Sequence, residues 1–159
     1  MSPSYTLKNL TKAVEKVESG GDPNAVSPKG ARGRMQVLPT TAKKPGFGVT
    51  AARDSTEKEY TRVGKDYLKA MVKRYGPEAG LVAYNWGPGN AEKWIKGGRD
   101  KSKLPDETRD YLIKVDNLAS NSKKDRRKTT MASKSDILKR IRASKKGKPT
   151  WQDKNRLKT

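Results

Sequence analysis

Positive charge is crowded at one end of this chain, and that limits where a core can form. Residues 118–159 hold 15 Lys and Arg against 3 Asp and Glu, whereas residues 1–117 hold 22 against 14. Runs such as Lys123-Lys124-Asp125-Arg126-Arg127-Lys128 and Lys145-Lys146-Gly147-Lys148-Pro149 repel themselves and seldom fold alone. Apolar residues make up 31% of the 159, where a globular domain has about 45–50%. The chain therefore reads as a folded domain over 1–117 and a basic tail over 118–159, extended or ordered only on a partner. In the tail, Ser135 is placed to cap a short helix with Ile137, Leu138 and Ile141 on one face. Trp151 is the tail's single aromatic, so there is little platform on which bases could stack. Two readings of the tail stay open: a solvated, solubilising segment, or a contact for polyanion such as nucleic acid or an acidic protein or polymer surface.

Composition excludes several chemistries. With no Cys there is no disulfide framework, thiolate nucleophile or Cys-ligated zinc. With no His there is no Ser-His-Asp triad and no imidazole base or ligand. Acid-base work near neutral pH falls to a carboxylate, a Lys or a Tyr, and no metal or other cofactor is expected. No apolar run approaches the ~18 residues of a membrane span. The start, Met1-Ser2-Pro3-Ser4, lacks the basic-then-apolar pattern of a secretory signal, so action outside the producing cell would need another delivery route.

The part before the tail reads as helical. Leu7, Leu10, Val14 and Val17 share a helical face that ends near Ser19-Gly20-Gly21. Residues 22–36 are rich in Gly, Pro, Ser and Asn and read as loop. Pro39 opens a short helix, and Pro45-Gly46-Phe47-Gly48 breaks the chain again. Thr56 with Glu59 fits a capping box before the stripe Tyr60, Val63, Tyr67, Leu68, Met71, Val72 and Tyr75. Gly76-Pro77 ends that helix. A nearly all-apolar helix from Pro77 to about Trp86 is expected to be the buried central one. A short helix holds Trp94 and Ile95, and Pro105 opens a last one with Tyr111, Leu112 and Val115 inward. The fold class is mainly α, about six short helices, with room for one small hairpin in residues 29–37.

Glu18 stands at the C-terminal end of the first helix, one residue past Val17. A lone helical Glu is usually a solvated surface charge. Here the helix dipole disfavours the ionised form and raises the pKa, which suits a general acid. No second carboxylate obviously pairs with it: Asp22 precedes Pro23 in a turn, where Asp serves local hydrogen bonds.

Three motifs follow in order. They are Glu18-Ser19 with the glycine-rich stretch to Met35-Gln36, Ala83-Tyr84-Asn85-Trp86-Gly87-Pro88-Gly89, and Glu107-Thr108-Arg109-Asp110-Tyr111. Together they span nearly all of residues 5–117, and the chain resembles the soluble lytic transglycosylases, lysozyme-like enzymes that cleave peptidoglycan. By that resemblance the fold is a lysozyme-like helical domain and Glu18 is the single catalytic acid. The resemblance also implies that Ser27 contacts the substrate or the carboxylate region and that Gln36 lines the cleft. Tyr84 and Asn85 belong to a motif whose Tyr lies over the site, while Glu107 and Tyr111 close one side of the groove. Gly30 and Gly33 shape the turn beneath it. Each also has a plain structural reading: Ser27 a turn residue, Tyr84 a core aromatic, Asn85 a helix cap, Glu107 a dipole partner. Arg34 departs from the apolar residue usual before Met-Gln, and either reaches peptide-stem carboxylates or points to solvent.

In such enzymes one carboxylate suffices, where ordinary glycosidases use two. The acid protonates the glycosidic oxygen between MurNAc and GlcNAc. The substrate's N-acetyl group stabilises C1, and the C6 hydroxyl closes on C1 to leave a 1,6-anhydro-MurNAc end. Pro45-Gly46-Phe47-Gly48-Val49 and the 83–89 motif are similar to bacteriophage virion members. The resemblance thus implies a virion component that opens the wall locally for genome delivery. Peptidoglycan is the expected partner, with other virion proteins or DNA at the tail; an exported bacterial enzyme is the rival setting. The other reading from a different class is a basic internal virion protein whose lysozyme-like domain only docks. A hydrolysing lysozyme on the same fold is a third, and it needs a base the residues do not reveal. Removing residues after about Asn117 is expected to leave cleavage intact.

Overall fold

A computed structural model describes residues 5–146. Helix α1 spans Leu7–Ser19, with Thr6 capping it by accepting the Asn9 amide. At its end Gly20 takes a left-handed φ of 69°, and the amides of Gly20 and Gly21 bond to Lys16 and Glu15. This closes the last turn with a backbone that a side chain would disfavour. The order continues as α2 Pro39–Lys43, α3 Glu57–Tyr75, α4 Pro77–Trp86, α5 Pro88–Lys96, a 3-10 turn Lys101–Lys103 and α6 Asp106–Lys146.

The periodic apolar faces find each other. Leu10, Val14, Met35, Val63, Leu68 and Val115 form one buried cluster, and Met71, Val82, Trp94 and Leu104 a second. Helix α4 is buried over Ala79, Gly80, Leu81, Val82 and Ala83 in succession, as its all-apolar sequence predicts. Two glycines set the spacing. A Cβ on Gly80 would lie 2.8 Å from the Val72 backbone, so α3 and α4 meet there at backbone distance. A Cβ on Gly64 would lie 2.4 Å from the Met35 Cβ, so the loop before α2 lies directly on α3.

Three expectations change in detail. The capping box at α3 is half made: Thr56 accepts the Glu59 amide, but Glu59 does not answer it. Its carboxylate instead accepts from the Arg53 amide and from Arg62, which also reaches the Thr50 and Ala51 carbonyls. These contacts hold the Glu59 carboxyl down at about 2, the Arg62 hydrogen bond foremost, and pin the irregular chain before α3.

The small hairpin of residues 29–37 reduces to the isolated bridges Val26–Arg32 and Arg32–Val37, with no strand among the described residues. Gly30, Gly33 and Gln36 have φ of 81°, 72° and 47°, which interrupts any extended run.

At the C-terminal side, Ala119 is fully buried and Leu118 packs on the same core, so the first compact unit reaches Ser120 rather than residue 117. The second unit begins at Asn121 and is helical to Lys146, not extended. Its Lys, Arg, Ala and Leu residues are good helix formers, and no Gly or Pro intervenes before Gly147. Ser135 consequently lies inside α6 and caps nothing, while Ile137, Leu138 and Ile141 are exposed. Trp151 lies outside the described residues. Among those residues no helix is long and apolar enough to cross a membrane.

Candidate active site

Glu18 sits in the last turn of α1, partly buried. Burial pushes its carboxyl from the ordinary 4.5 up to about 7; the Tyr111 hydroxyl works against this and the Glu107 charge adds to it. Desolvation, rather than the dipole expected from the helix position, is thus the leading cause. A carboxyl poised near 7 can give up a proton and take one back at neutral pH.

Its neighbours come from two other helices. Tyr84 on α4 and Tyr111 on α6 both have phenols raised well above 10, by burial first and by the Glu18 charge second. Tyr111 is 5% exposed. Its hydroxyl faces the Glu18 carboxyl closely enough to favour the charged form, yet makes no hydrogen bond of standard geometry among the described residues. The Tyr84 hydroxyl donates to the Met35 carbonyl at 2.7 Å. Glu107 is exposed in the first turn of α6, and its charge is felt at Glu18.

A cleft of about 350 Å³ is lined by Gln36, Leu38, Tyr67, Tyr84, Asn85 and Trp86 among others; Glu18 is not on its wall and is linked to it through Tyr84. Tyr84 belongs both to the cleft wall and to the surroundings of Glu18. Gln36 takes a left-handed turn, and its side-chain amide donates to the Ala25 and Gly33 carbonyls at 3.1 and 2.9 Å. It therefore folds the glycine-rich loop as well as lining the cleft. Asn85 does not cap its helix; its Oδ1 accepts from the buried Thr108 hydroxyl at 2.9 Å, which ties α4 to α6.

Of the seven residues singled out from sequence, Glu18 acts electrostatically on Tyr84 and Tyr111, Glu107 acts on Glu18, and Gln36 and Asn85 join Tyr84 at the cleft. Ser27 stands apart. Its hydroxyl accepts the Ala31 amide at 3.0 Å, and its amide and carbonyl close the same turn. Arg34, still partly exposed, donates to Glu57 at 3.2 Å and to the Gly21 carbonyl at 3.0 Å, bracing the turn after α1.

Two residues that the sequence reading left out help build the site. Ser19 donates to the Arg34 carbonyl at 2.9 Å and accepts the Gly21 amide at 3.1 Å, fastening the end of α1 to the loop that carries Gln36. Its place immediately after Glu18, at a helix end, was the available signal. Tyr67 lines the cleft with its ring 5.9 Å from that of Tyr84; in the sequence it was one more residue of an apolar stripe. Among the described residues no group of three His, Cys, Asp or Glu could hold a metal.

Comparison with known proteins points one way. The family described as the Transglycosylase SLT domain matches residues 3–106. A protein of Enterobacteria phage PRD1 named Transglycosylase is 39% identical over 103 residues, covering 64% of this chain and 36% of that protein. The Soluble lytic murein transglycosylase of Escherichia coli K12 is 30% identical over 92 residues, 52% of this chain and 14% of that protein. The crystal structure of the 70 kDa soluble lytic transglycosylase of Escherichia coli superposes with a TM-score of 0.60 at 26% identity, covering 75% of this chain and 21% of that one. An inactive mutant of lytic transglycosylase Slt from Pseudomonas aeruginosa gives 0.55 at 28% identity, covering 70% and 20%. The chain thus spans about a third of its phage relative and far less of the bacterial ones. With well over half of its length matched by one family, it belongs to the transglycosylase SLT domain family.

Proposed function

We propose that this chain is a peptidoglycan lytic transglycosylase that cuts the β-1,4 bond between MurNAc and GlcNAc, with Glu18 as acid and then base. The observation that carries this is the Glu18 carboxyl, desolvated to a pKa of about 7 and coupled to Tyr84, which walls an open cleft. In its neutral form it protonates the glycosidic oxygen as the C1–O bond breaks. The substrate's N-acetyl group supports the positive charge at C1. The carboxylate then takes the proton of the C6 hydroxyl as O6 bonds to C1, and the product ends in 1,6-anhydro-MurNAc. Burial keeps the acid protonated, the Tyr111 hydroxyl is placed to steady the carboxylate once the proton has left, and Gln36, Tyr84 and Asn85 form the wall against which sugar rings lie. Mass spectrometry of a peptidoglycan digest tests this, with anhydro-MurNAc ends expected.

One observation favours a second reading. The Glu107 charge reaches Glu18, so a two-carboxylate hydrolase with Glu107 activating water has a candidate base. Reducing MurNAc ends in the same digest, abolished by Glu107→Gln, would establish it.

The setting we infer is a virion component that opens the wall during genome delivery. A phage protein among the relatives supports this, as does the net charge of +20. We assign residues 121–159 to contact with polyanion, either DNA or acidic virion proteins. Binding of the full chain to DNA should weaken linearly on a log scale as salt rises. Binding that ignores salt would refute the assignment, and an exported bacterial enzyme would then be the better setting.

A further inference from the structure

Phe47 occupies a position that packing alone does not explain. Its φ is 53°, between Gly46 at 69° and Gly48 at 75°, so three successive residues are left-handed. Gly is at ease there, whereas a bulky aromatic is an outlier. Yet the ring is not buried: 43% of the residue is exposed. A strained backbone that presents an apolar ring to water points to a function for the ring.

The ring is also held. Its centroid lies 6.1 Å from that of Tyr67, edge to face, and the Arg74 guanidinium sits 5.6 Å over it. Arg74 is in turn fixed by Glu92 at 3.5 Å and by the Tyr75 hydroxyl. Phe47, Ala70, Lys73 and Arg74 line a shallow surface groove of about 390 Å³. Tyr67 connects the two depressions, since it lines the cleft on one side and touches Phe47 on the other. Lys73 is exposed in the groove and pairs with no carboxylate among the described residues.

We propose that this groove extends the cleft as a subsite for the continuing glycan strand, with Phe47 packing against a sugar face and Lys73 meeting a peptide-stem carboxylate. The proposal rests on the transglycosylase reading. A polymer seated in the cleft must leave it across neighbouring surface, and Tyr67 leads to Phe47. A sugar ring has an apolar face to lay on an aromatic, and a stem carboxylate complements an unpaired ammonium. Arg74 packs on the ring and pairs with Glu92, whereas Lys73 has no such partner among the described residues.

The test is calorimetric titration of the full chain carrying Glu18→Gln, so that ligand is not consumed. The ligands are soluble glycan fragments with their stems and the same fragments after an amidase has removed the stems. Phe47→Gly keeps the left-handed turn and removes the ring, so it should stay folded, as its melting curve checks, while weakening both ligands about three- to tenfold. Lys73→Glu should weaken the stem-bearing fragment by at least about threefold and the stem-free one by less than about twofold, the difference fading in high salt. Unchanged binding in Phe47→Gly, or equal effects of Lys73→Glu on both fragments, would overturn the subsite while leaving the transglycosylase reading standing. A parent that binds neither fragment, together with a native chain that cleaves none, would overturn both.

Discussion

The Tyr84 hydroxyl donates a 2.7 Å hydrogen bond to the main-chain oxygen of Met35, across 49 residues of sequence. It joins the buried helix α4 to the loop that carries Gln36, and it fixes the ring that walls off Glu18. Tyr84→Phe keeps the ring and leaves the Met35 carbonyl without this donor. A loss of about 1–3 kcal/mol is expected, read as a lower urea midpoint, together with a lower kcat/KM as Gln36 loosens. Full stability with full activity would show that the bond positions nothing.

The Glu18 carboxyl should be a stability liability at high pH. Its pKa is raised from 4.5 to about 7 on folding, so the folded chain holds a proton that the unfolded chain has released. Stability from this group is whole below about 4.5 and is lost as pH rises through about 7. Glu18→Gln removes the burden, and the variant should gain up to about 3 kcal/mol over the parent at high pH and nothing at low pH. Urea titrations at both pH values measure this; a pH-independent difference would contradict it.

The same proton governs the rate. Cleavage needs the neutral acid, so kcat/KM should decline as pH rises above about 7 and approach a tenfold loss per pH unit. A rate that kept climbing through this range would mean that Glu18 acts as carboxylate in the first step.

Gly64 is expected to resist substitution. An added methyl would stand 2.4 Å from the Met35 Cβ and 2.9 Å from a Val37 methyl carbon. Gly64→Ala should cost about 1–3 kcal/mol by overpacking, despite the better helix propensity of Ala, and should lower activity through the Gln36 loop. A melting temperature equal to the parent's would show that loop and helix part easily.

Much of this fold was legible because its helices are written locally. The α3 stripe from Tyr60 to Tyr75, the stop at Gly76 and the apolar α4 each follow from residues within a few turns. The site is legible in part because its motifs are local too. What made Glu18 an acid was hidden, since its pKa is set by burial in the tertiary fold and by Tyr111 and Glu107 from a distant helix. Ser27 and Arg34 each bond within or beside the turn they belong to, a use that spacing alone cannot tell from contact with a ligand. The helix through residues 121–146 was masked by its own charge, although its residues are good helix formers. Gly64 carried no signal because the loop it admits approaches from elsewhere in the chain.

The most direct test of Glu18 as the acid compares the native chain with Glu18→Gln on purified peptidoglycan, following both soluble fragment release and binding to the insoluble wall. The account predicts that the variant binds as well as the native chain and releases no fragments, because the amide fills the same space without a proton to give. Fragment release by Glu18→Gln at a rate near the native one would contradict it.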